Sequence, residues 1–369
     1  MLTETPIAEH DSWLALDPVW GCANDCGYCF LRGSGLTGTS PCLKFAADAA
    51  LRDRLASVLR RCPRDVPVSI GNTTDLFLNP DSRDILFQAA RMVAELDPGR
   101  LIVMITKAEI TAETAQRAAD ATGGHGLFFL SQSFAAEYDR RVERGGVSAK
   151  EGTYRSFERI AKTEGLQAIH FWRPFLQRWN PAEALPGRIR DLQSSGCLCS
   201  VVIGLKGGPH LIPSYSEELR TWAEPELRLK RLPGEEHVST DRLAELAALA
   251  GERRYPVFRN TSCGIALSQG LPDINGTSAS DRRRDYCESA ACPARQRSVC
   301  ARDPLLRVGG EQLRRRLRRY GEAAAADGPG PLIPEGTDEF TYNHLCHMLH
   351  QRPYIPKIRP TMAWRETSE

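Results

Sequence analysis

The sequence predicts an α/β protein, a partial (β/α)6 barrel of the TIM-like kind followed by a small cysteine-rich extension. Three observations carry this reading. Six short apolar runs rich in Val, Ile, Leu and Phe alternate with stretches of helical apolar spacing. Glycine or polar residues lie just past the end of each run, the pattern of strand ends that carry a site. Past residue 225 the alternation stops and cysteines take over.

The first strand is expected within Trp13–Trp20, bent at Asp17-Pro18, and it runs into a loop with three cysteines. A polar, Gly-rich segment follows from Arg32 to Ser40. Asp48–Arg61 has apolar residues at Leu51, Leu55, Val58 and Leu59, one face of a helix. Val66–Ile70 is a second strand, stopped by Gly71-Asn72-Thr73-Thr74-Asp75. Arg83–Leu96 is helical. Leu101–Ile105 is the clearest buried strand and ends at Thr106-Lys107. Ile110–Ala121 is helical, and Leu127–Leu130 is a strand ending at Ser131-Gln132-Ser133. Lys150–Glu164 is a helix. Gln167–Phe171 is a strand ending at Trp172-Arg173-Pro174. Ala182–Ser195 is helical, and Cys199–Ile203 is a sixth strand ending at Gly204. The expected division is a barrel over 10–225, a cysteine-rich metal-binding extension over 226–305 and a helical tail over 306–369.

The totals narrow the function. A chain of 369 residues suits one barrel-sized unit with an appendage. Lys and Arg number 48 against 46 Asp and Glu, so the whole surface has no electrostatic pull on nucleic acid. Met1–Asp11 is polar and lacks the apolar segment of a signal peptide. No apolar run reaches the roughly 18 residues of a membrane span. The reading is cytoplasmic, which makes the 12 cysteines ligands, catalysts or packing rather than disulfides.

Cys22-Ala23-Asn24-Asp25-Cys26-Gly27-Tyr28-Cys29 places three thiols in eight residues at C-x3-C-x2-C spacing. Such dense thiolates bind soft metal, and Cys-rich runs hold iron–sulfur clusters. A structural zinc site is the alternative, but zinc takes four ligands and no fourth Cys or His lies close behind. Three ligands on a cubane leave one iron open. With Gly21 before it and Gly27-Tyr28 inside it, the stretch resembles the cluster motif of the radical S-adenosylmethionine (radical SAM) superfamily. Gly71–Asp75, Thr106-Lys107 and Ser131-Gln132-Ser133 are together similar to the spore photoproduct lyase-like branch.

The resemblance implies an open six-unit barrel and a [4Fe–4S] cluster on Cys22, Cys26 and Cys29. It implies S-adenosylmethionine chelating the open iron, an external one-electron reductant such as flavodoxin or ferredoxin, and a 5′-deoxyadenosyl radical that abstracts hydrogen. It assigns Gly71, Asn72, Thr73 and Asp75 to the amino group of the methionine moiety, without the usual Glu at that turn. Ser131 and Ser133 fall to the ribose and Ile203 and Gly204 to the adenine. Arg173 suits a carboxylate, which a guanidinium binds through two parallel hydrogen bonds.

Cys263, Cys287, Cys292 and Cys300 fall within 38 residues of low apolar content, a segment that needs a staple. The candidates are a second [4Fe–4S] cluster, a four-cysteine zinc site, for which no Cys-x2-Cys knuckle is present, or unliganded thiols. Farther on come a basic helix over 311–320, a flexible linker over 323–334, and a helix with His344, Cys346, His347 and His350.

The substrate radical has two fates. A thiol returns hydrogen, with Cys42, Cys197 and Cys199 as candidate donors, or the second cluster takes an electron. The substrate expected is a small molecule: a sugar, a nucleoside or an amino-acid-derived metabolite in a biosynthetic pathway. The alternatives are repair or modification of DNA or RNA, a peptide substrate, and a non-catalytic iron–sulfur or zinc regulator.

Overall fold

The computed structural model describes residues 6–10, 12–206, 211–227, 236–237, 240–273 and 284–301. The basic helix over 311–320, the linker over 323–334 and the His344–His350 group lie outside them.

One eight-stranded sheet organises the chain, its strands in sequence order. β1 (Ile7–Glu9) is antiparallel to β2 (Leu14–Leu16). From β2 on the strands are parallel: β3 (Val68–Ile70), β4 (Ile102–Thr106), β5 (Gly126–Ser131), β6 (Leu166–Trp172), β7 (Ser200–Val202) and β8 (Val257–Phe258). β1 and β8 are the two edges, so the sheet is an open barrel wall rather than a closed one. Ile102, Val103, Met104 and Leu127–Phe129 have no exposure, as expected of strands covered on both faces.

The helices between strands start where the sequence supplies caps. Asp48 accepts the Leu51 N–H ahead of α1 (Ala49–Arg61), whose Leu51, Leu55 and Leu59 are buried. Asn79 caps α2 (Pro80–Leu96), with Pro at its first position. Thr111 caps α3 (Ala112–Ala121). α4 (Lys150–Ala161) and α5 (Leu185–Ser194) complete the alternation. α6 (Glu217–Leu227) and α7 (Thr240–Arg253) precede β8; α8 (Thr261–Gln269), α9 (Arg284–Ser289) and α10 (Ala294–Ala301) follow it. No helix among the described residues is long and apolar enough to cross a membrane.

All six expected strands are present. The expected first strand is split: after Leu16 the chain bends at Asp17-Pro18, and Val19–Trp20 instead pairs with Cys42–Leu43. Tyr255–Phe258, read as the lead into the cysteine-rich segment, supplies a seventh parallel strand. Its two residues follow a proline, so no apolar run announces it. The pairing to β7 makes the strand, with Leu243, Leu246, Ala250, Tyr255 and Ile265 in the same core as the sheet.

Candidate active site

Because β2 through β8 run the same way, their C-terminal ends share one rim, and the Cys22–Cys29 loop leaves β2 at that rim. The loop is clamped from two sides. Asp25–Cys26 pairs antiparallel with Glu143–Arg144, and the Gly27 N–H donates to Val142 O at 2.7 Å. On the other side Gly27 O accepts from the Ser216 N–H at 2.9 Å. A Cβ at Gly27 would lie 2.4 Å from Ser216 Oγ, so any larger residue here has to displace the Ser216 side chain. Tyr28 packs against Trp179, ring centroids 5.7 Å apart, in a second core with Val142, Leu176, Ile212 and Tyr215.

Cys26 is buried, and Cys22 and Cys29 are half-buried; all three are free thiols. Burial pushes the Cys22 thiol up, against backbone hydrogen bonds from Asp75 and Asn24 that favour its thiolate. Burial pushes Cys26 up further, opposed by the Lys107 ammonium and reinforced by Glu143, Cys29 and Cys22. Three thiols near enough to raise one another do not ionise together unaided; a bound cation reverses that balance. Among the described residues no three Cys, His, Asp or Glu side chains are drawn close enough to hold a metal ion as they stand. The donor set still fits an iron–sulfur cluster: three thiols within eight residues of one loop, with N–H groups directed at sulfur.

Beside Cys26 lies a buried network. The Lys107 Nζ donates to Glu143 Oε1 at 2.9 Å and to the Tyr28 hydroxyl at 2.7 Å. Tyr28 itself donates to Glu143 Oε1, as does Ser133 Oγ at 3.0 Å. Burial alone would raise the Glu143 carboxyl; Lys107, Tyr28 and Ser133 hold it below its ordinary value. Glu143 Oε2 is buried with no hydrogen-bond partner. One layer back, Asp75 accepts from Thr106 Oγ1 at 2.7 Å and from the Lys107 N–H at 2.7 Å, tying the β3 turn to the end of β4. Burial raises Asp75 despite these bonds.

Asn72 and Thr73 turn towards Asp17. Its Oδ1 accepts from the Asn72 N–H at 2.5 Å, Asn72 Nδ2 at 3.4 Å and the Thr73 N–H at 3.4 Å. Asn72 Oδ1 is left buried and unpartnered. Gly71 has φ +83, and a Cβ there would meet Leu76 Cδ1 at 2.7 Å, so the turn requires glycine. Ser131 ends β5, and Arg173 follows β6 with its guanidinium 5.7 Å from the Phe171 ring. Ile203 and Gly204 follow β7; the Ile203 N–H donates to Trp172 O, and its C=O accepts from the Phe175 N–H.

The candidate hydrogen donors separate. Cys42 is exposed across from Trp20, at the rim of the loop. Cys197 and Cys199 are buried ahead of β7, at the opposite rim. Burial pushes Cys197 up to about 12. Cys263 lies on α8, Cys287 on α9 and Cys300 on α10, with Cys292 in the turn between α9 and α10.

Sequence reasoning missed Asp17, Asn24, Lys107 and Glu143 as site residues. Lys107 had a signal, its place just past the strongest strand. Glu143 had none, since the charged run Asp139–Arg144 reads as a solvated loop.

No family model matches the sequence, and no curated protein matches it. Solved structures do match. A cysteine-to-serine variant of spore photoproduct lyase aligns with TM-score 0.51 and 15% identity, over 68% of this chain and 77% of that one. A cysteine-to-alanine variant of the same enzyme aligns with TM-score 0.50 and 16% identity, over 68% and 77%. The chain therefore has the open α/β barrel fold of spore photoproduct lyase, in line with the family resemblance carried by its Cys22–Cys29 loop.

Proposed function

We propose that the chain is a radical SAM enzyme in which Cys22, Cys26 and Cys29 hold a [4Fe–4S] cluster and S-adenosylmethionine binds beside it. One observation carries the reading: three neighbouring free thiols on a clamped loop at the C-terminal end of the first parallel strand of an open barrel. When bound, the cluster and S-adenosylmethionine supply an electron and a hydrogen-abstracting 5′-deoxyadenosyl radical, the electron drawn from an external flavodoxin- or ferredoxin-type carrier.

The protein's own groups prepare that site. Backbone N–H groups of Asp75 and Asn24 favour the thiolate at Cys22, and the Lys107 ammonium does so at Cys26. Glu143 keeps Lys107 charged in a buried place. Tyr28 packs at a tilt on Trp179, which meets Trp222 edge to face, and these rings shield one side of the loop from water. Arg173 takes the methionine carboxylate, Ser131 the ribose, and Ile203 and Gly204 face the adenine. Asp75, with Gly71, Asn72 and Thr73, serves the amino group in place of the missing Glu, and Ser133 acts through Glu143. Cys42 is the thiol at this rim for returning a hydrogen atom; Cys197 and Cys199 start from the other rim. The near-balanced charge favours a small-molecule substrate, such as a sugar, nucleoside or amino-acid derivative, in a biosynthetic pathway. The free thiols suit a reducing cytoplasm.

A second reading is repair or modification of a nucleic acid; the fold shared with spore photoproduct lyase favours it.

The test is anaerobic. Full-length protein is reconstituted with iron and sulfide, reduced with dithionite and given S-adenosylmethionine. The expected products are methionine and 5′-deoxyadenosine, abolished in Cys22→Ala, Cys26→Ala and Cys29→Ala. Iron-loaded protein that makes neither product overturns the proposal. Oligonucleotide binding that falls steeply with salt would select the nucleic-acid reading.

A further inference from the structure

Three of the C-terminal cysteines are set on three helices, Cys263 on α8, Cys287 on α9 and Cys300 on α10, and Cys292 lies in the turn between α9 and α10. α9 and α10 are short, and isolated helices of their length are unstable in water. The residues that α10 buries are Gln296 and Cys300. A helix whose buried side chains are a thiol and an amide lacks the apolar face that normally docks a helix.

Four hydrogen bonds nevertheless draw these pieces together. The Val257 N–H donates to Ala290 O at 3.0 Å, fixing the end of α9 to the edge strand β8. The Cys292 N–H donates to Cys287 O at 3.0 Å, closing a turn in which Ala291 takes φ 52. Gln296 Nε2 donates to Leu271 O at 2.7 Å, just past α8, and to Cys300 Sγ at 3.4 Å. Cys263 lies in the first turn of α8. Cys263 and Cys300 are buried, Cys287 and Cys292 half-buried, and none is in a disulfide.

Cys263 belongs to the same core that Cys287 and Cys292 pack against, and Cys300 is tied to the end of α8 through Gln296. Four such thiols are a poor apolar core and a good ligand set for a soft cation.

We propose that Cys263, Cys287, Cys292 and Cys300 form a second soft-metal centre with four thiolate ligands, separate from the Cys22–Cys29 loop. Binding releases the thiol protons and draws in sulfurs that in the metal-free chain stand apart. The centre is a [4Fe–4S] cluster or a zinc ion, which share this donor chemistry. With four protein ligands it has no open position, so it staples α8, α9 and α10 rather than binding substrate. The Gln296 amide donating to Cys300 Sγ is the kind of outer contact that steadies a thiolate ligand.

The test removes the first site. Full-length Cys22→Ala/Cys26→Ala/Cys29→Ala protein is reconstituted with iron and sulfide, or in parallel with zinc, and its metal is counted. The expected result is about four irons or about one zinc per chain; which metal persists identifies the centre. Adding Cys263→Ala and Cys292→Ala takes the count to none. A folded triple variant that holds no metal overturns the proposal. A second measurement covers variants that fail to fold: in the metal-loaded wild-type protein, iodoacetamide modifies Cys287 and Cys292 only after a chelator is added. Equal modification with and without chelator, or recovery of these cysteines as disulfides, overturns it. Neither readout depends on S-adenosylmethionine cleavage, so failure here and failure of the proposed activity are distinguishable.

Discussion

At the scale of single residues, the Lys107–Glu143 pair is the most exposed to test. Glu143 has no accessible side-chain surface and Lys107 only 14%, so neither charge has water as an alternative partner. Replacing one partner strands the other. Lys107→Met is expected to cost about 3–5 kcal/mol, because the Glu143 carboxylate stays buried with its cation gone. Lys107→Met/Glu143→Leu should recover much of that loss, since the stranded charge is removed as well. Urea unfolding of the metal-free protein reads both. A double variant no more stable than the single one would mean that Glu143 is held by Tyr28 and Ser133 alone. The pair also marks where the sequence stops being legible. Cys22, Cys26 and Cys29 announce themselves because their spacing is local. Glu143 reaches Cys26 only through a ladder between segments more than a hundred residues apart, and nothing in Asp139–Arg144 distinguishes a buried carboxylate from a solvated one.

At the scale of elements, β6, β7 and the start of β8 are stitched by a buried polar chain. His170 Nε2 lies 2.9 Å from Gln132 O; a carbonyl only accepts, so this nitrogen carries the proton. Nδ1 then accepts from Ser200 Oγ at 3.0 Å. Ser200 Oγ lies 2.9 Å from the Tyr255 hydroxyl, which is 3.2 Å from Cys197 Sγ. Burial lowers His170 from 6.5 to about 3, so the folded protein refuses a proton that the unfolded chain accepts. The stability gained by keeping His170 neutral is therefore complete above pH 6.5 and is lost as pH falls towards 3. The slope approaches about 1.4 kcal/mol per pH unit inside that window. Thermal unfolding of wild type and His170→Asn at pH 7, 6 and 5 tests it: the variant starts lower and changes less. Parallel curves would show that another group sets the acid limit. The strands themselves were legible because each has an apolar run of its own, such as Leu101–Ile105. β8 was not, because two residues after Pro256 become a strand only when β7 is there to pair with.

At the scale of the whole molecule, the described residues 240–273 are bound into the barrel wall. Leu243, Leu246, Tyr255, Val257, Phe258 and Ile265 are buried in the same core as β3 to β7. A Cβ at Gly264 of α8 would stand 3.1 Å from Ile169 and Val201, so this helix lies directly on β6 and β7. Each of these large side chains contributes about 1.5–3 kcal/mol by leaving water. Their sum rivals the net stability of about 5–15 kcal/mol that a whole domain retains. Ending the chain at residue 225 would also leave β7 as a bare edge, with unpaired N–H and C=O groups beside newly exposed apolar surface. Residues 1–225, although they carry all three loop cysteines and six parallel strands, are accordingly expected to aggregate or to lack cooperative unfolding. The full chain should unfold as one unit through the described core. Size-exclusion chromatography and urea titration of the two proteins decide the matter. A monomeric 1–225 fragment with a sharp transition would show that the barrel wall is complete at β7 and that β8 with α8 is only laid against it. An aggregated fragment would mean that the segment bearing Cys263, Cys287, Cys292 and Cys300 helps to hold the strand ends where the Cys22–Cys29 loop sits.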